Sequence, residues 1–333
     1  MLSSPPGQKE SEARVRVLVT GANGFVGRHV ILDLLGSGHE VVGVIRDTSR
    51  EINIPGATWH VVQDFTDVRA WTAALTGIDA VVHAAARVHV MKPSPSDSGL
   101  FMRVNVDGSL ALARIAQSLG VGSFVFLSSI KVLGEQTFDV PFDVTDIPRP
   151  CDPYAMSKLA AENGLRTELA GSCTNLCIIR PPLVYGPYVG GNFLRMLALA
   201  ATKLPLPVGG FHNKRSLVSV WNLSSLIARA VQVPRKGCSV YHVSDGQDLS
   251  TADLFRAVRE VMGNSSPIFS VHLKLMKLLG RATGRSAEIA RLSESLQVNI
   301  SCARSQLSWE PTISVSQGLS RTVEWFGSRD ASI

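Results

Sequence analysis

The sequence predicts an α/β fold built on a doubly wound parallel sheet. Its first half alternates short apolar runs with amphipathic helical patterns, and a glycine-rich stretch directly follows the first apolar run. Apolar runs without polar alternation are typical of strands buried on both faces, which occur in parallel sheets covered by helices. The chain has 333 residues, of which 45% are hydrophobic and 18% charged, so it can bury the core that such a sheet needs.

Five apolar runs are the predicted strands of the first half. They are RVRVLVT (14–20), EVVGVI (40–45), TWHVV (58–62), DAVVHAA (79–85) and SFVFLSS (123–129). The clearest helical pattern between them is LFMRVNVDGSLALARIAQSL (100–119), where apolar residues recur every three or four positions. Strands that alternate with helices in this order predict the doubly wound topology.

The pattern changes after about residue 180. Proline and glycine cluster at 180–192 and 203–210, and the strict alternation of strand and helix ends there. SVYHVSDG (239–246) nevertheless predicts another buried strand, so the second region is expected to interleave with the first. We therefore predict a polar, disordered lead-in over 1–13, a main α/β domain over 14–180 and a smaller C-terminal substrate-binding region over 181–333.

Composition and charge disfavour several classes of protein. The formal net charge is +6, but the lysines and arginines are scattered, with few aromatic residues between them, so no nucleic-acid partner is expected. No apolar run approaches the roughly 18 residues of a membrane span, and the polar amino terminus does not resemble a signal peptide. The five cysteines form no C-x-x-C, so neither a metal site nor a disulfide framework is expected. A cytoplasmic location is the default expectation.

A glycine-rich turn, GANGFVG, follows the first predicted strand and leads into an amphipathic helix. In this strand–turn–helix setting, glycines let the backbone approach a pyrophosphate closely. The helix amino terminus supplies free N–H groups and the positive end of a dipole. We therefore predict a dinucleotide-binding site that includes Gly21, Gly24, Phe25, Val26 and Gly27.

A second candidate site lies in CDPYAMSKLAAE (151–162). Asp152 is expected to cap a helix whose first residue is Pro153, which places Tyr154 and Lys158 four residues apart on one helix face. An ammonium group near a phenol favours the phenolate and is expected to lower the tyrosine pKa from about 10. A tyrosine tuned in this way can exchange a proton with a substrate hydroxyl or carbonyl near neutral pH.

These motifs resemble, in order and spacing, the extended branch of the short-chain dehydrogenase/reductase superfamily, which includes nucleotide-sugar epimerases, dehydratases and reductases. The resemblance covers nearly the whole chain, from Arg14 to Phe326. It includes the two serines that end the fifth predicted strand, in FLSSIKVLGE (126–135), and the later segment RPPLVYGP (180–187). It implies a Rossmann-type NAD(P)-binding first domain, a second region that binds a UDP-sugar, and a homodimer.

The resemblance also implies roles for individual residues. Ser129 corresponds to the hydroxyl that bonds the reacting oxygen, so the implied catalytic set is Ser129, Tyr154 and Lys158. The implied cofactor contacts, besides the glycine turn, are Asp64 and Phe65 at the adenine, Ala84, Ala85 and Ala86 at the nicotinamide, Asn105, Tyr154 and Lys158. Asn192 and Arg215 correspond to side chains that contact the diphosphate of a UDP-sugar and, with Ser129, make up the implied substrate site.

The end of the second predicted strand, VVGVIRDTSR (41–50), bears on the choice of cofactor. An acid at this point accepts hydrogen bonds from the ribose 2′-hydroxyl of NAD, whereas an arginine accommodates the 2′-phosphate of NADP. Ile45 occupies the position of the usual acid, and Arg46 follows it. NADP(H) is therefore the expected cofactor and NAD(H) the alternative, unless Arg46 is merely solvated beside Asp47.

The residues after Ser129 narrow the reaction. Dehydratases of this branch have an Asp-Glu pair there, and this chain has Ile130 and Lys131, so 4,6-dehydration is not expected. VHAAARVHVM (82–91) most resembles 4-reductases of UDP-4-keto-6-deoxy-N-acetylhexosamine in bacterial polysaccharide (lipopolysaccharide O-antigen) synthesis, which form UDP-N-acetylquinovosamine or its C4 epimer. The first expectation is therefore an NADP(H)-dependent 4-reductase. The alternatives are a UDP-hexose or UDP-N-acetylhexosamine 4-epimerase with tightly bound NAD, and a non-catalytic NADP-sensing scaffold, against which the intact serine, tyrosine and lysine argue.

Overall fold

A seven-stranded parallel sheet organises the part of the chain that the structure describes. The computed structural model describes residues 14–48, 52–88, 95–284 and 286–330, so the predicted lead-in at 1–13 lies outside the described residues. The strands are β1 (Arg16–Thr20), β2 (Glu40–Ile45), β3 (Ala57–Val61), β4 (Ala80–His83), β5 (Ser123–Leu127), β6 (Asn175–Arg180), β7 (Leu183–Tyr185), β8 (Leu217–Ser219) and β9 (Cys238–His242). The large sheet has the order β3-β2-β1-β4-β5-β6-β9, and β7 and β8 form a separate parallel pair. The predicted doubly wound α/β fold is confirmed.

Helices connect the strands. They are α1 (Phe25–Gly36), α2 (Val68–Leu75), α3 (Pro95–Met102), α4 (Gly108–Ser118), α5 (Pro153–Glu168), α6 (Gly191–Ala201), α7 (Val220–Gln232), α8 (Thr251–Val261), α9 (Leu273–Ala282), α10 (Ser286–Ser293), α11 (Ser301–Leu307) and α12 (Val315–Asp330). A π-helical turn (Arg103–Asp107) joins α3 to α4, and a 3₁₀ turn (Ile130–Val132) follows β5.

Helices cover the large sheet on both faces, as its uninterrupted apolar strands require. Successive residues of β1 show this. Val17 and Val19 belong to a core formed with α1 and α7, whereas Leu18 belongs to a core formed with α2, α4 and α5. All three side chains are fully buried. Because neither face of the strand meets water, the sequence shows no polar alternation there.

The carboxyl ends of β1, β4 and β5 lie side by side. Thr20 pairs with His83, and His83 pairs with Phe126, in parallel register. The segments that leave these strands therefore meet at one edge of the sheet, where open α/β sheets bind their ligands. β4 ends at His83 and β5 at Leu127, earlier than the apolar runs suggest, so residues 84–86 and the two following serines line that edge.

The helix predicted over 100–119 is interrupted by the π-helical turn between α3 and α4. Within the turn the Asn105 side chain points inward, where it is 1% exposed and accepts a hydrogen bond from Arg87 N at 2.8 Å. Apolar periodicity does not reveal such an inserted residue, because the spacing on either side of it stays helical.

The chain after β6 builds a third hydrophobic core and also adds one strand to the large sheet. Phe193 of α6, Phe255 of α8 and Leu319 of α12 belong to this core. β9 pairs with β6, with His242 opposite Arg180, and so brings a strand from the second half of the chain into the sheet. The division between residues 180 and 181 stays a prediction. Within the described ranges, no helix is long and apolar enough to cross a membrane.

Candidate active site

The turn after β1 requires glycine at its first and last positions. Gly21 has a φ of +66°, in the left-handed region, and its carbonyl accepts a hydrogen bond from Gly24 N at 2.8 Å. A Cβ at Gly27 would overlap the Gly21 carbonyl oxygen. The first turn of α1 therefore packs directly on the loop that precedes it.

The amino terminus of α1 suits an anion. Gly24 caps the helix without a side-chain hydrogen bond, and the first turn contains no acidic residue. Phe25 and Val26 are the first two residues of the helix and are half-buried there. Unpaired N–H groups and the positive end of the helix dipole therefore face the turn. This arrangement fits the pyrophosphate of a dinucleotide, and binding by these residues stays a prediction.

Residues 84–86 lie directly against the glycine turn. A Cβ at Gly21 would lie 2.9 Å from Ala85 N. Ala85 N donates a hydrogen bond to Thr20 Oγ1 at 3.1 Å, which connects the end of β4 to the end of β1. Ala84, Ala85 and Ala86 are half-buried, and contact of these residues with a nicotinamide ring stays a prediction.

The residues expected at the adenosine follow neighbouring strands. Ile45 is 2% exposed, so Arg46 is the first exposed side chain after β2. Asp64 is exposed after β3, and its carboxylate accepts a hydrogen bond from Thr66 N at 2.9 Å. Hydrogen bonds from Thr66 lower the pKa of Asp64, so this carboxylate is ionised at neutral pH. Phe65 is half-buried beside it.

Ser129 and Tyr154 meet at the carboxyl end of β5. α5 begins at Pro153, and Asp152 caps it by accepting a hydrogen bond from Ala155 N at 2.7 Å, which confirms the predicted helix start. The side chain of Ser129 hydrogen-bonds the half-buried Tyr154. Two hydroxyl groups therefore lie close together at this end of the sheet, and a catalytic role for them stays a prediction.

Lys158 is buried close to this pair. It is 2% exposed, and its Nζ donates to Leu127 O at 2.6 Å and lies 4.4 Å from the centre of the Phe126 ring. Burial lowers the pKa of Lys158 to about 7, and the Glu162 carboxylate opposes part of this shift. The amine therefore titrates near neutral pH instead of holding a permanent charge.

The pKa of Tyr154 is raised, opposite to the direction expected from the sequence. Burial is the main cause, the Asp152 carboxylate adds to it, and the hydrogen bond with Ser129 lowers the pKa in part. Lys158 does not reverse the shift, because its Nζ is held by Leu127 O and is itself partly neutral near pH 7. The prediction of a lowered phenol pKa from the Tyr–Lys spacing is therefore wrong for these residues alone.

A buried acid behind Lys158 was not singled out by the sequence analysis. Glu162 is 0% exposed, and Arg180 donates to both of its oxygens, with Nε–Oε1 at 3.0 Å and Nη2–Oε2 at 2.6 Å. Ser128 Oγ donates to Oε1 at 2.5 Å, and Arg166 Nη2 donates to Oε2 at 3.1 Å. These donors lower the pKa of Glu162 against the effect of burial, so it is an anion. Its position four residues after Lys158 was the available signal.

Asn105 connects the loop after β4 with the helix of Tyr154. Its Nδ2 donates to Arg87 O at 3.1 Å and to Ser157 Oγ at 2.9 Å. Ser157 Oγ in turn donates to Tyr154 O at 2.7 Å. The structure thus brings Asn105 close to the predicted catalytic residues, through the backbone of the tyrosine.

Lys131 occupies the position at which dehydratases have an acid. Its Nζ lies 2.7 Å from Asp152 Oδ2 and 3.2 Å from Glu135 Oε1. The position is therefore occupied by an ion-paired cation, and the expectation that the protein does not catalyse 4,6-dehydration stays a prediction.

The residues expected at the substrate diphosphate lie in the second half of the chain. Asn192 is exposed in the first turn of α6. Arg215 Nη1 donates to Arg291 O at 2.8 Å and to Glu294 O at 3.1 Å, and burial lowers the pKa of its guanidinium. Within the described ranges, no hydrogen bond joins either side chain to the Ser–Tyr–Lys set. The same ranges contain no group of three or more His, Cys, Asp or Glu residues that could hold a metal ion.

Arg28 is a further cation at the glycine turn that the sequence analysis missed. Its Nη2 donates to Asn23 O at 3.1 Å, and its guanidinium carbon lies 3.8 Å from the centre of the Tyr188 ring. The only available signal was an arginine that directly follows the last glycine of the turn. It adds positive charge beside the proposed pyrophosphate site.

The fold and the site define an α/β protein of the nucleotide-binding, doubly wound class, with a Ser–Tyr–Lys set at the carboxyl edge of its sheet. Residues 17–244 match the NAD dependent epimerase/dehydratase family. The chain is 36% identical over 314 residues to a UDP-glucose 4-epimerase of Vibrio cholerae, across 93% of this chain and 95% of that protein. The chain belongs to the NAD-dependent epimerase/dehydratase family.

Solved structures support the same fold. A structure titled MoeE5 in complex with UDP-glucose and NAD is 25% identical, covers 96% of this chain and 100% of its own, and has a TM-score of 0.74. A UDP-glucose 4-epimerase of Thermotoga maritima, solved with UDP-glucose, is 24% identical, covers 94% and 99% of the two chains and has a TM-score of 0.75.

Proposed function

We propose that the protein is a UDP-sugar 4-epimerase that works with bound NAD. The hydroxyls of Ser129 and Tyr154, near the buried Lys158, support proton transfer at a sugar oxygen in either candidate, and the likeness to a named epimerase favours this one. The relative from Vibrio cholerae, at 36% identity, is named a UDP-glucose 4-epimerase. The 4-reductase that the sequence suggests first becomes the second candidate.

The chemistry proposed for the chain's own residues is proton transfer at the C4 oxygen of the sugar. When bound, NAD supplies a hydride acceptor and donor at C4. Ser129 Oγ and Tyr154 Oη hold the C4 oxygen, and Tyr154 accepts its proton and later returns it. Because the raised pKa of Tyr154 opposes deprotonation, the reaction needs positive charge nearby, and we propose that the protonated form of Lys158, one helical turn further along α5 and with a pKa of about 7, supplies it.

The proposed substrate is a UDP-hexose or a UDP-N-acetylhexosamine. Asn192 and Arg215 are the proposed contacts of its diphosphate. Asn192 lies in the first turn of α6, which contains no acidic residue and has no side-chain cap, so that helix end also suits an anion. The net charge of +6 is compatible with an anionic ligand.

The second candidate is an NADP(H)-dependent 4-reductase of a UDP-4-keto-6-deoxy-N-acetylhexosamine, as in polysaccharide synthesis. One observation favours it. No acid stands at the end of β2, where Ile45 is buried and the exposed Arg46 follows. An arginine there can accommodate a 2′-phosphate. Under this reading the same serine and tyrosine hold the C4 oxygen, but the cofactor is consumed.

One experiment separates the two candidates. The purified protein is incubated with UDP-glucose or UDP-N-acetylglucosamine, and separately with a UDP-4-keto-6-deoxy-N-acetylhexosamine plus NADPH or NADH. Interconversion of C4 epimers without net loss of absorbance at 340 nm is expected. Stoichiometric oxidation of NADPH with the keto sugar would instead establish the reductase. If the protein shows neither activity, both enzyme candidates are contradicted and the non-catalytic NADP-sensing scaffold is the alternative that is left.

We also propose that the protein is a cytoplasmic homodimer, as the family resemblance implies. Light scattering of the purified protein at several concentrations tests the assembly. A monomer mass at all concentrations would contradict it.

A further inference from the structure

His83 occupies a buried position between the glycine turn and the π-helical turn. It is the last residue of β4 and is 1% exposed. Its Nδ1 lies 2.7 Å from Thr20 Oγ1, and its Nε2 lies 2.9 Å from Ser109 Oγ. Both ring nitrogens are thus hydrogen-bonded to elements that belong to the proposed site, and neither partner is on its own strand.

The partners determine which nitrogen holds the proton. Ser109 Oγ donates its hydrogen to Asn105 O at 2.7 Å, so it accepts from His83 Nε2. Thr20 Oγ1 accepts from Ala85 N, so its own hydrogen is available to Nδ1. The neutral Nε2–H form therefore satisfies every group. Burial and the charge of Lys158 lower the pKa of His83 to about 3, so the ring is neutral at any working pH.

These hydrogen bonds form one chain, with a covalent step across Asn105 from its backbone carbonyl to its side-chain amide. From one side it runs from Ala85 N through Thr20 to the imidazole. From the other side it runs through Ser109 to Asn105, whose Nδ2 donates to Ser157 Oγ at 2.9 Å, and Ser157 donates to the carbonyl of Tyr154 at 2.7 Å. The links between these two ends, Thr20, His83, Ser109, Asn105 and Ser157, are all buried.

We propose that His83 is a positioning residue with two separable tasks. Through Thr20 and Ala85 it fixes the loop after β4 against the glycine turn, and so sets the affinity for the dinucleotide. Through Ser109 and Asn105 it fixes the backbone of Tyr154, and so sets the turnover. The effect on turnover rests on the proposed function, whereas the effect on affinity needs only a dinucleotide site.

Two substitutions separate the tasks. The side-chain amide of Asn reaches about as far as Nδ1 of histidine, and that of Gln about as far as Nε2. His83→Asn therefore keeps a partner for Thr20 and loses Ser109, whereas His83→Gln keeps Ser109 and loses Thr20. His83→Asn is expected to lower kcat by roughly 10- to 100-fold, since small misplacements of a reacting group have costs of that order, while the Kd for NAD changes by less than about twofold. His83→Gln is expected to raise the Kd for NAD by about tenfold, because Ala85 N loses its anchored acceptor.

His242 is the matched control. It is also buried at the end of a strand of the same sheet, its Nδ1 hydrogen-bonds Phe142 O at 3.2 Å, and burial lowers its pKa to about 4. His242→Asn should lower the melting temperature and leave kcat and the Kd for NAD unchanged. If both His83 variants behave like this control, or lose affinity and turnover equally, the proposal is overturned and His83 merely supports the fold.

Ser109→Ala keeps the inference testable if a His83 variant does not fold. It removes the acceptor of Nε2 without altering the ring, so it should reproduce the loss of kcat and the nearly unchanged Kd of His83→Asn. Wild-type turnover in Ser109→Ala would overturn the link to Tyr154. If no UDP-sugar is turned over by the wild type, the proposed function fails. The Kd for NAD of His83→Gln still tests the proposed effect of His83 on dinucleotide affinity.

Discussion

Replacement of Glu162 by glutamine tests how the interior supports Lys158, the proposed catalytic lysine. Oε1 accepts hydrogen bonds from Ser128 and Arg180, and Oε2 accepts them from Arg180 and Arg166. A glutamine has one oxygen and one NH₂ group, so its NH₂ would face two guanidinium donors at the Oε2 position, or Arg180 Nε–H and the Ser128 hydroxyl at the Oε1 position. The substitution keeps the volume of the side chain and removes both the charge and two acceptor positions.

The expected loss of stability is large because no water can replace the missing acceptor. Glu162 is 0% exposed and the Arg180 side chain 3% exposed. Removal of one member of a buried ion pair leaves an uncompensated charge and costs about 3–5 kcal/mol. A chain of 333 residues has an unfolding entropy of about 0.7 kcal/mol/K, so the melting temperature should fall by about 4–7 °C.

The pH dependence has a definite sign. The pKa of Glu162 is lowered from 4.5 in the folded state, chiefly by Arg180 against the effect of burial. Its stabilisation is therefore complete above pH 4.5 and is lost as the pH falls through the folded value. Denaturant unfolding should show a constant difference between wild type and variant near neutral pH, and a shrinking difference below pH 4.5. Because Glu162 raises the pKa of Lys158, the loss of turnover at high pH should also begin at lower pH in the variant.

Glu168→Gln is the matched control on the same helix. Glu168 pairs with Arg114 at 2.8 Å, but this arginine is 60% exposed, so the loss should lie within about 0–1 kcal/mol. Equal effects of the two substitutions would refute the argument, as would a Glu162→Gln protein with wild-type stability and an unshifted pH profile of kcat.

Three further predictions concern the proposed cofactor site and Tyr154, the proposed catalytic tyrosine. Gly27→Ala should weaken NAD binding at least about tenfold, because the added Cβ would overlap Gly21 O. Gly36→Ala is the control and should bind NAD as the wild type does, because the space around Gly36 is open. Calorimetric titration measures both affinities. Arg46→Asp should weaken NADPH relative to NADH if Arg46 faces the 2′-phosphate, and an unchanged ratio of dissociation constants would disprove that role. Lys131→Met leaves the Asp152 carboxylate without its partner at 2.7 Å, so the pKa of Tyr154 should rise further and the profile of kcat/KM should move to higher pH. Lys131→Arg should keep the wild-type profile, and a Met variant that also keeps it would count against this electrostatic link.

Much of the fold is readable from neighbours in the sequence. Continuous apolar runs predict the strands of a parallel sheet because both faces of such strands are buried, and β2 has the predicted limits. Asp152 and Pro153 predict the start of α5 because capping uses residues only three positions apart. The glycine turn is likewise a local requirement of the backbone, visible as glycine spacing.

The electrostatics of the site depend on partners that are distant in sequence. Lys158 is 31 residues from the carbonyl that holds its Nζ, and Glu162 is 18 residues from Arg180. Spacing alone therefore predicted the wrong direction for the pKa of Tyr154. It shows that an ammonium group is near, but it does not show that the phenol is buried. Which groups are desolvated becomes known only when strands and helices are packed.

The sequence by itself determined the doubly wound sheet, because its apolar strands alternate with helical patterns along the chain. It also determined the glycine turn and the helix on which Tyr154 and Lys158 share a face, because each depends on residues a few positions apart. Tertiary structure alone decided the π-helical turn at Asn105 and the hydrogen bonds around the buried Glu162. It also decided the hydrogen bonds of His83 to Thr20, which is 63 positions away in the sequence, and to Ser109, which is 26 positions away. Parallel register brings Thr20, His83 and Phe126 into one row, and such a row is a property of three packed strands.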